Sequence, residues 1–161
     1  MNKRKNEEIS KFLLTKKEFK LFIALKNKIS DYLEILNYQY TKEKIPYSVM
    51  VLQASEKSIK ETLSNIRKTD ILLKIPYLPH HYLLFFQNSS CKDSIEIGSR
   101  LTSLIERTFM LNQKNISHKA ALICFEENPP KILDLCYEII LTIKNIKNND
   151  SNDFWIGIER I

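Results

Sequence analysis

The sequence predicts an α+β fold: an antiparallel-rich sheet with helices packed on it, preceded by a long N-terminal helix. Three observations lead there. Apolar residues recur at helical spacing from Ile9 to Leu36. Short β-branched and apolar runs, bounded by proline or polar clusters, punctuate the rest of the chain. Amphipathic stretches of helical period lie between most of those runs, but not between the second and third.

In the first unit, Thr15 followed by Glu18 forms a capping box, which starts a long helix near 16–40. A short helix or turn precedes it. The apolar positions of the long helix are numerous for one face: packing on the sheet accounts for them, and the sharper reading is a helix that also packs on another chain or domain. Pro46 ends the unit, and Tyr47–Ala54 reads as a buried strand. Ser55, or Ser58 three residues before Glu61, caps a helix whose inner face is Ile59, Leu63 and Ile66 and which ends near Lys68. Ile71–Ile75 and Tyr82–Gln87 are strands joined by a turn, both apolar enough for the middle of a sheet. Ser90 or Asp93 caps a helix through about 111. Lys119–Phe125 is a strand, and the proline pair at 129–130 cannot continue it. A helix from Ile132 to about Ile146 and a closing edge strand, Phe154–Ile161, complete the order β-α-β-β-α-β-α-β. Its first six elements match the split βαβ, or ferredoxin-like, arrangement with helices on one face. Right-handed crossovers set the first strand beside the hairpin.

A chain of 161 residues buries a core without staples. A net charge of +6, partly from the opening MNKRK, permits an anionic partner but is also what a lysine-rich solvated surface gives. Cys91, Cys124 and Cys136 are odd in number and lack CxxC spacing, so neither a disulfide framework nor a zinc site is expected. Cys124 and Cys136 read as small buried hydrophobes, and a cytoplasmic location is expected. The N-terminus lacks the apolar core of a signal peptide, and no apolar run is long enough to span a membrane.

The stretch RKTDILLKIPYLPHHYLLFF at 67–86 is where chemistry would be sought. RKTD before an apolar strand, the strand–turn–strand that follows, LTIK at 141–144 and Asn149 beyond it resemble corresponding elements of the GGDEF domains, diguanylate cyclase relatives of the nucleotide-cyclase palm fold. The resemblance covers roughly 10–161 and implies a palm sheet with the signature turn between its second and third strands. This chain departs from the family where the activity resides. Its turn carries Pro79, His80 and His81 in place of glycine and carboxylate, and Gln53 and Ser55 stand where the first strand would supply aspartates. A hard dication wants several carboxylate or carbonyl oxygens, and two-metal phosphoryl transfer needs both ions placed. The segment that would recognise guanine after the first strand looks deleted. A catalytically inactive domain is therefore expected, with no cofactor and no metal.

What remains is binding. In the family, RxxD is an inhibitory site in some members, where it grips the guanine of cyclic di-GMP. Arg67 and Asp70 match its spacing, with Lys74 or Arg100 as a second cation. The bland alternative is an i,i+3 pair at a helix end. Adjacent His80 and His81 read as an exposed turn pair, since neighbours in a turn rarely share one ion. An RNA-recognition role would use Tyr82, Phe85 and Phe86, but the last two face opposite ways and the motif for such a module is missing. The expected organisation is a basic disordered tail at 1–8, a helical segment at 9–45 and a degenerate GGDEF-like domain at 46–161. The expected function is regulation or scaffolding through a protein partner. Its contact surface is expected to comprise Phe12, Phe19, Phe22, Pro79, His80 and His81, and the helix also offers an oligomer contact. Cyclic di-GMP is the alternative ligand, and nucleic acid the weaker one.

Overall fold

The computed structural model describes residues 14–62, 66–112, 118–125, 128–149 and 155–160. The tail at 1–8, Phe12, Leu63, the turn residue Glu126 and positions 150–153 lie outside the described residues.

Helix α1, Lys16–Glu43, begins with the expected capping box: the Glu18 N–H donates to Thr15 Oγ1 at 3.1 Å, and the Thr15 N–H donates to Glu18 Oε1 at 3.4 Å. It runs a few residues past the expected end and stops at Lys44, which turns left-handed at φ 58°, while the Ile45 N–H donates to Gln39 O at 3.2 Å. The helix is thus ended by its own cap before Pro46 is reached. Leu21, Leu25, Ile29, Leu33 and Leu36 form its buried row. These spacings of four and three keep the side chains on one face.

The remaining elements are β1 (Tyr47–Gln53), α2 (Glu56–Thr62), β2 (Ile71–Lys74), β3 (His81–Gln87), α3 (Cys91–Asn112), β4 (Lys119–Cys124), α4 (Ile132–Asn148) and β5 (Trp155–Arg160). Sheet order is β2-β3-β1-β4-β5. β2–β3, β3–β1 and β1–β4 pair antiparallel, and β5 lies parallel to β4 at the edge. The first strand does sit beside the hairpin, with Tyr47 opposite Gln87 and Gln53 opposite His81.

Because strand side chains alternate, each central strand feeds two cores. Val49, Val51, Leu83, Phe85 and Ile123 pack under α1 and α4. Met50, Leu52, Leu84, Phe86 and Leu122 pack under α2 and α3. The helices of the first six elements therefore share one face as expected, and α1 and α4 close the other. Tyr47 donates its hydroxyl to Asn37 Oδ1, and Asn37 Nδ2 donates to Pro130 O at 2.9 Å, which ties α1 to the start of α4. Lys144 of α4 forms an ion pair with Glu18 of α1.

The structure corrects three expectations. β2 is an edge strand, not a central one: Ile71–Leu73 are half-buried and Lys74 is exposed. An apolar strand covered on both faces reads alike at an edge and in the middle, so only pairing distinguishes them. Helix α2, described over Glu56–Thr62, does not reach Lys68, since the chain is already bent at Ile66 and turning at 68–69. Cys91 and Cys124 are joined in a disulfide with their Cα atoms 5.7 Å apart, while Cys136 is free and buried. Local spacing says nothing about this pair, which meets only because the start of α3 packs over the end of β4.

Candidate functional site

Arg67 and Asp70 lie in the turn leading into β2. The Asp70 N–H donates to Arg67 O at 3.0 Å, which sets the turn. Across it the guanidinium donates from Nε to Asp70 Oδ2 at 3.0 Å and from Nη2 to Oδ1 at 2.8 Å. Nη2 also reaches Gln87 O at 2.9 Å and Ser89 Oγ at 2.8 Å, at the far end of β3. Asp70 Oδ1 accepts from the Gln87 N–H at 3.3 Å. The carboxylate is 1% exposed and the guanidinium side chain 39%. Asp70's hydrogen bond and charge hold Arg67 above the ordinary guanidinium value, against the opposing effect of burial. The fork that would grip a guanine edge is occupied by the protein's own groups, which fasten the turn to the end of β3. Arg100, on α3, and Lys74, at the opposite end of β2, are both exposed.

The turn from Ile75 to His80 manages without glycine by placing two other residues left-handed, Tyr77 and His80, each at φ 63°. Its ends are pinned: the Ala54 N–H donates to His80 O and the Ile75 N–H to His81 O, both at 2.9 Å. His81 Nδ1 lies 2.8 Å from Pro79 O. Burial lowers the His81 imidazole below its ordinary value, and the Pro79 carbonyl offsets this only in part. Both histidines are half-buried, not the exposed pair that the turn's composition suggests, and Pro79 is exposed. Among the described residues, no three His, Cys, Asp or Glu side chains gather as ligands for an ion.

Just beyond β1, Ser55, Ser58 and His118 form a hydroxyl–imidazole cluster. The Ser58 N–H donates to Ser55 Oγ at 3.2 Å, so Ser55 is the cap and Ser58 sits within the first turn of α2. The two hydroxyls are 2.7 Å apart, and His118 Nε2 lies 3.2 Å from both Ser58 Oγ and the Ser55 nitrogen. Since Nε2 accepts the Ser55 N–H, its lone pair is committed to the backbone, which is a poor arrangement for a general base. All three residues are buried. Sequence reading found the serines but not His118, whose partners are some sixty residues away.

The remaining surface candidates converge. Phe19 is 57% exposed on α1, beside Ile23, and Tyr77 is 65% exposed on the turn. Together with Lys20, Ala24 and Asn27 they line a hollow of about 510 Å³. Tyr77 also borders a second hollow, of about 400 Å³, whose walls include Lys28, Lys74, Pro76 and Pro79. The two hollows, which share Tyr77 as a wall, make up the groove between α1 and the turn. Lys20 Nζ sits 4.8 Å above the Tyr77 ring. Phe22 is half-buried and packs on the core, and Phe12 lies outside the described residues. Tyr77, Ile23 and Lys20 were missed by sequence reading. Their signal was the surplus of apolar residues on the helix and a tyrosine bracketed by Pro76 and Pro79.

Tyr82, Phe85 and Phe86 are buried beneath the helices, so β3 presents no open stacking platform. No helix among the described residues is long and apolar enough to cross a membrane. No family model, curated protein or solved structure matches the chain.

Proposed function

We propose that the chain is a catalytically inactive, GGDEF-like module of the palm, or ferredoxin-like, type, and that it docks a protein partner in the groove between α1 and the β2–β3 turn. The strand order β2-β3-β1-β4 supports the split βαβ reading. The observation that carries the docking reading is the meeting of Phe19 and Ile23 with Tyr77. These large apolar side chains, far apart in sequence, are left exposed on one concave surface.

The inactive reading rests on what occupies the sheet end. Gln53 ends β1 and Ser55 caps α2, while Tyr77 and His80, each carrying a Cβ, fill left-handed positions where glycine would allow close backbone approach to a phosphate. Incubation with GTP and magnesium should give no cyclic di-GMP, and product formation would overturn this part of the proposal. The cyclic di-GMP receptor reading requires Arg67 to exchange Asp70, Gln87 and Ser89 for a base, and calorimetric titration tests it directly.

Removing α1 is not a usable test of docking, because the helix contributes five buried residues to the core. The decisive comparison uses surface changes. A partner captured by the native chain should be lost with Phe19→Ala plus Tyr77→Ala and retained with Ile35→Asp, which alters an exposed position on the later part of α1. Equal capture by both variants would place the interface elsewhere.

A further inference from the structure

The groove has a chemistry that narrows its occupant. This inference rests on the docking reading above and specifies the partner. The walls are apolar at Phe19, Ile23 and Tyr77 and cationic at Lys16, Lys20, Lys28 and Lys74. Among the described residues, none that lines either hollow is a carboxylate. Of the acidic residues nearest these lysines in sequence, Glu18 is spent on Lys144 of α4 and on its own capping box, Asp70 is held by Arg67, and Asp31 lines neither hollow. The four lysines thus border the apolar hollows without neutralisation from the groove itself.

Tyr77 is held for this arrangement. Its left-handed backbone is uncommon for a residue with a Cβ, and it keeps the ring out in solvent at 65% exposure. Lys20 covers the ring and places a cation at the rim of the first hollow, while Lys28 and Lys74 border the second. Each hollow is of a size that accepts a large side chain.

We infer that the occupant is an acidic peptide segment of a partner protein: one or two large apolar side chains seat in the hollows, and flanking Asp or Glu residues meet the lysine rim. Apolar anchors carry the affinity of such a contact, while rim charges set its salt dependence and its preference for acidic sequences. A nucleic acid would use the lysines but not Ile23 and Ala24, which offer no stacking surface. A lipid surface would need a free apolar helix face, whereas the principal apolar row of α1 is buried against the sheet.

The test is selection of random displayed linear peptides on the full chain, followed by fluorescence anisotropy on an enriched peptide. Enrichment of carboxylates beside an aromatic or long aliphatic residue is expected, with binding that weakens as salt rises. Lys20→Glu, Lys28→Glu and Lys74→Glu should each weaken it by roughly two- to five-fold, and Tyr77→Ala by about ten-fold or more. These are exposed positions, and unchanged circular dichroism and melting of the variants separate lost contacts from lost folding. Enrichment of neutral or basic peptides, or indifference to the lysine reversals, overturns the acidic partner while loss on Tyr77→Ala keeps the docking groove. Indifference to Phe19→Ala and Tyr77→Ala, or no enrichment at all, overturns the groove itself. A labelled single-stranded oligonucleotide that binds with the same Lys20 and Tyr77 dependence also overturns the proposal, in favour of nucleic acid.

Discussion

Replacing Arg67 with alanine should destabilise the domain whether or not any ligand is present. The substitution deletes two hydrogen bonds to Asp70, one to Gln87 O and one to Ser89 Oγ. It leaves a carboxylate that is 1% exposed and still accepts from the Gln87 N–H at 3.3 Å. Removing one member of a fully buried ion pair costs about 3–5 kcal/mol. The Arg67 side chain is 39% exposed, so water enters where it stood, and roughly 2–3 kcal/mol is the better figure. For a chain of this size that lowers the melting temperature by about 4–12 °C. Arg67→Lys keeps the charge but not the fork, and should recover less than half of the loss. Urea denaturation of Arg67→Ala, Asp70→Asn and the double variant should give a coupling energy of about 1–2 kcal/mol. A change below about 0.5 kcal/mol for Arg67→Ala, with no coupling, would refute the structural assignment. It would mean that the fork does not hold the turn and is free for a ligand.

Three further outcomes follow from the packing. The Cys91–Cys124 bond closes a loop with a sequence separation of 33, so Cys124→Ser or reduction should cost about 3–4 kcal/mol; thiol titration should find one group, Cys136, reactive only after denaturation because burial pushes its thiol up to about 12, and three groups would refute the pairing. Phe85→Ala in the centre of β3 should cost about 3–5 kcal/mol by calorimetric or chemical unfolding, since Phe85 is fully buried, and a loss under about 1 kcal/mol would place it outside the core. Burial alone would raise Glu18, but Lys144 and Thr15 outweigh it and hold the carboxyl below its ordinary value of 4.5; its contribution is therefore present above that pH and lost as pH falls through the depressed value, and Glu18→Gln should flatten this part of the acid limb of a stability profile. An unchanged acid limb in the variant would show that the α1–α4 ion pair carries no such linkage.

The elements were legible because each has a local cause. The capping box of Thr15 and Glu18 and the four-residue spacing of Leu21, Leu25 and Ile29 suffice to define α1. The apolar runs of β1, β3 and β4 suffice to mark strands. Their ends were less secure where a non-glycine residue supplies the stop, as Lys44 does, or where the chain bends without proline, as at Ile66. The spacing of Arg67 and Asp70 allowed an i,i+3 pair beside the ligand reading, but did not tell that Gln87 and Ser89 would complete the set.

The sequence by itself determined the α+β class, the element order, the glycine-free turn before β3, and Gln53 and Ser55 at and just past the end of β1. These are statements about residue type and local period, and physics acts on them one element at a time. The tertiary structure decided everything that depends on distant segments meeting: β2 at an edge, Cys91 against Cys124, His118 under Ser55, and Phe19 facing Tyr77. Periodicity records which side of an element is apolar but not which other element covers it, and a groove is made by the covering that is left incomplete.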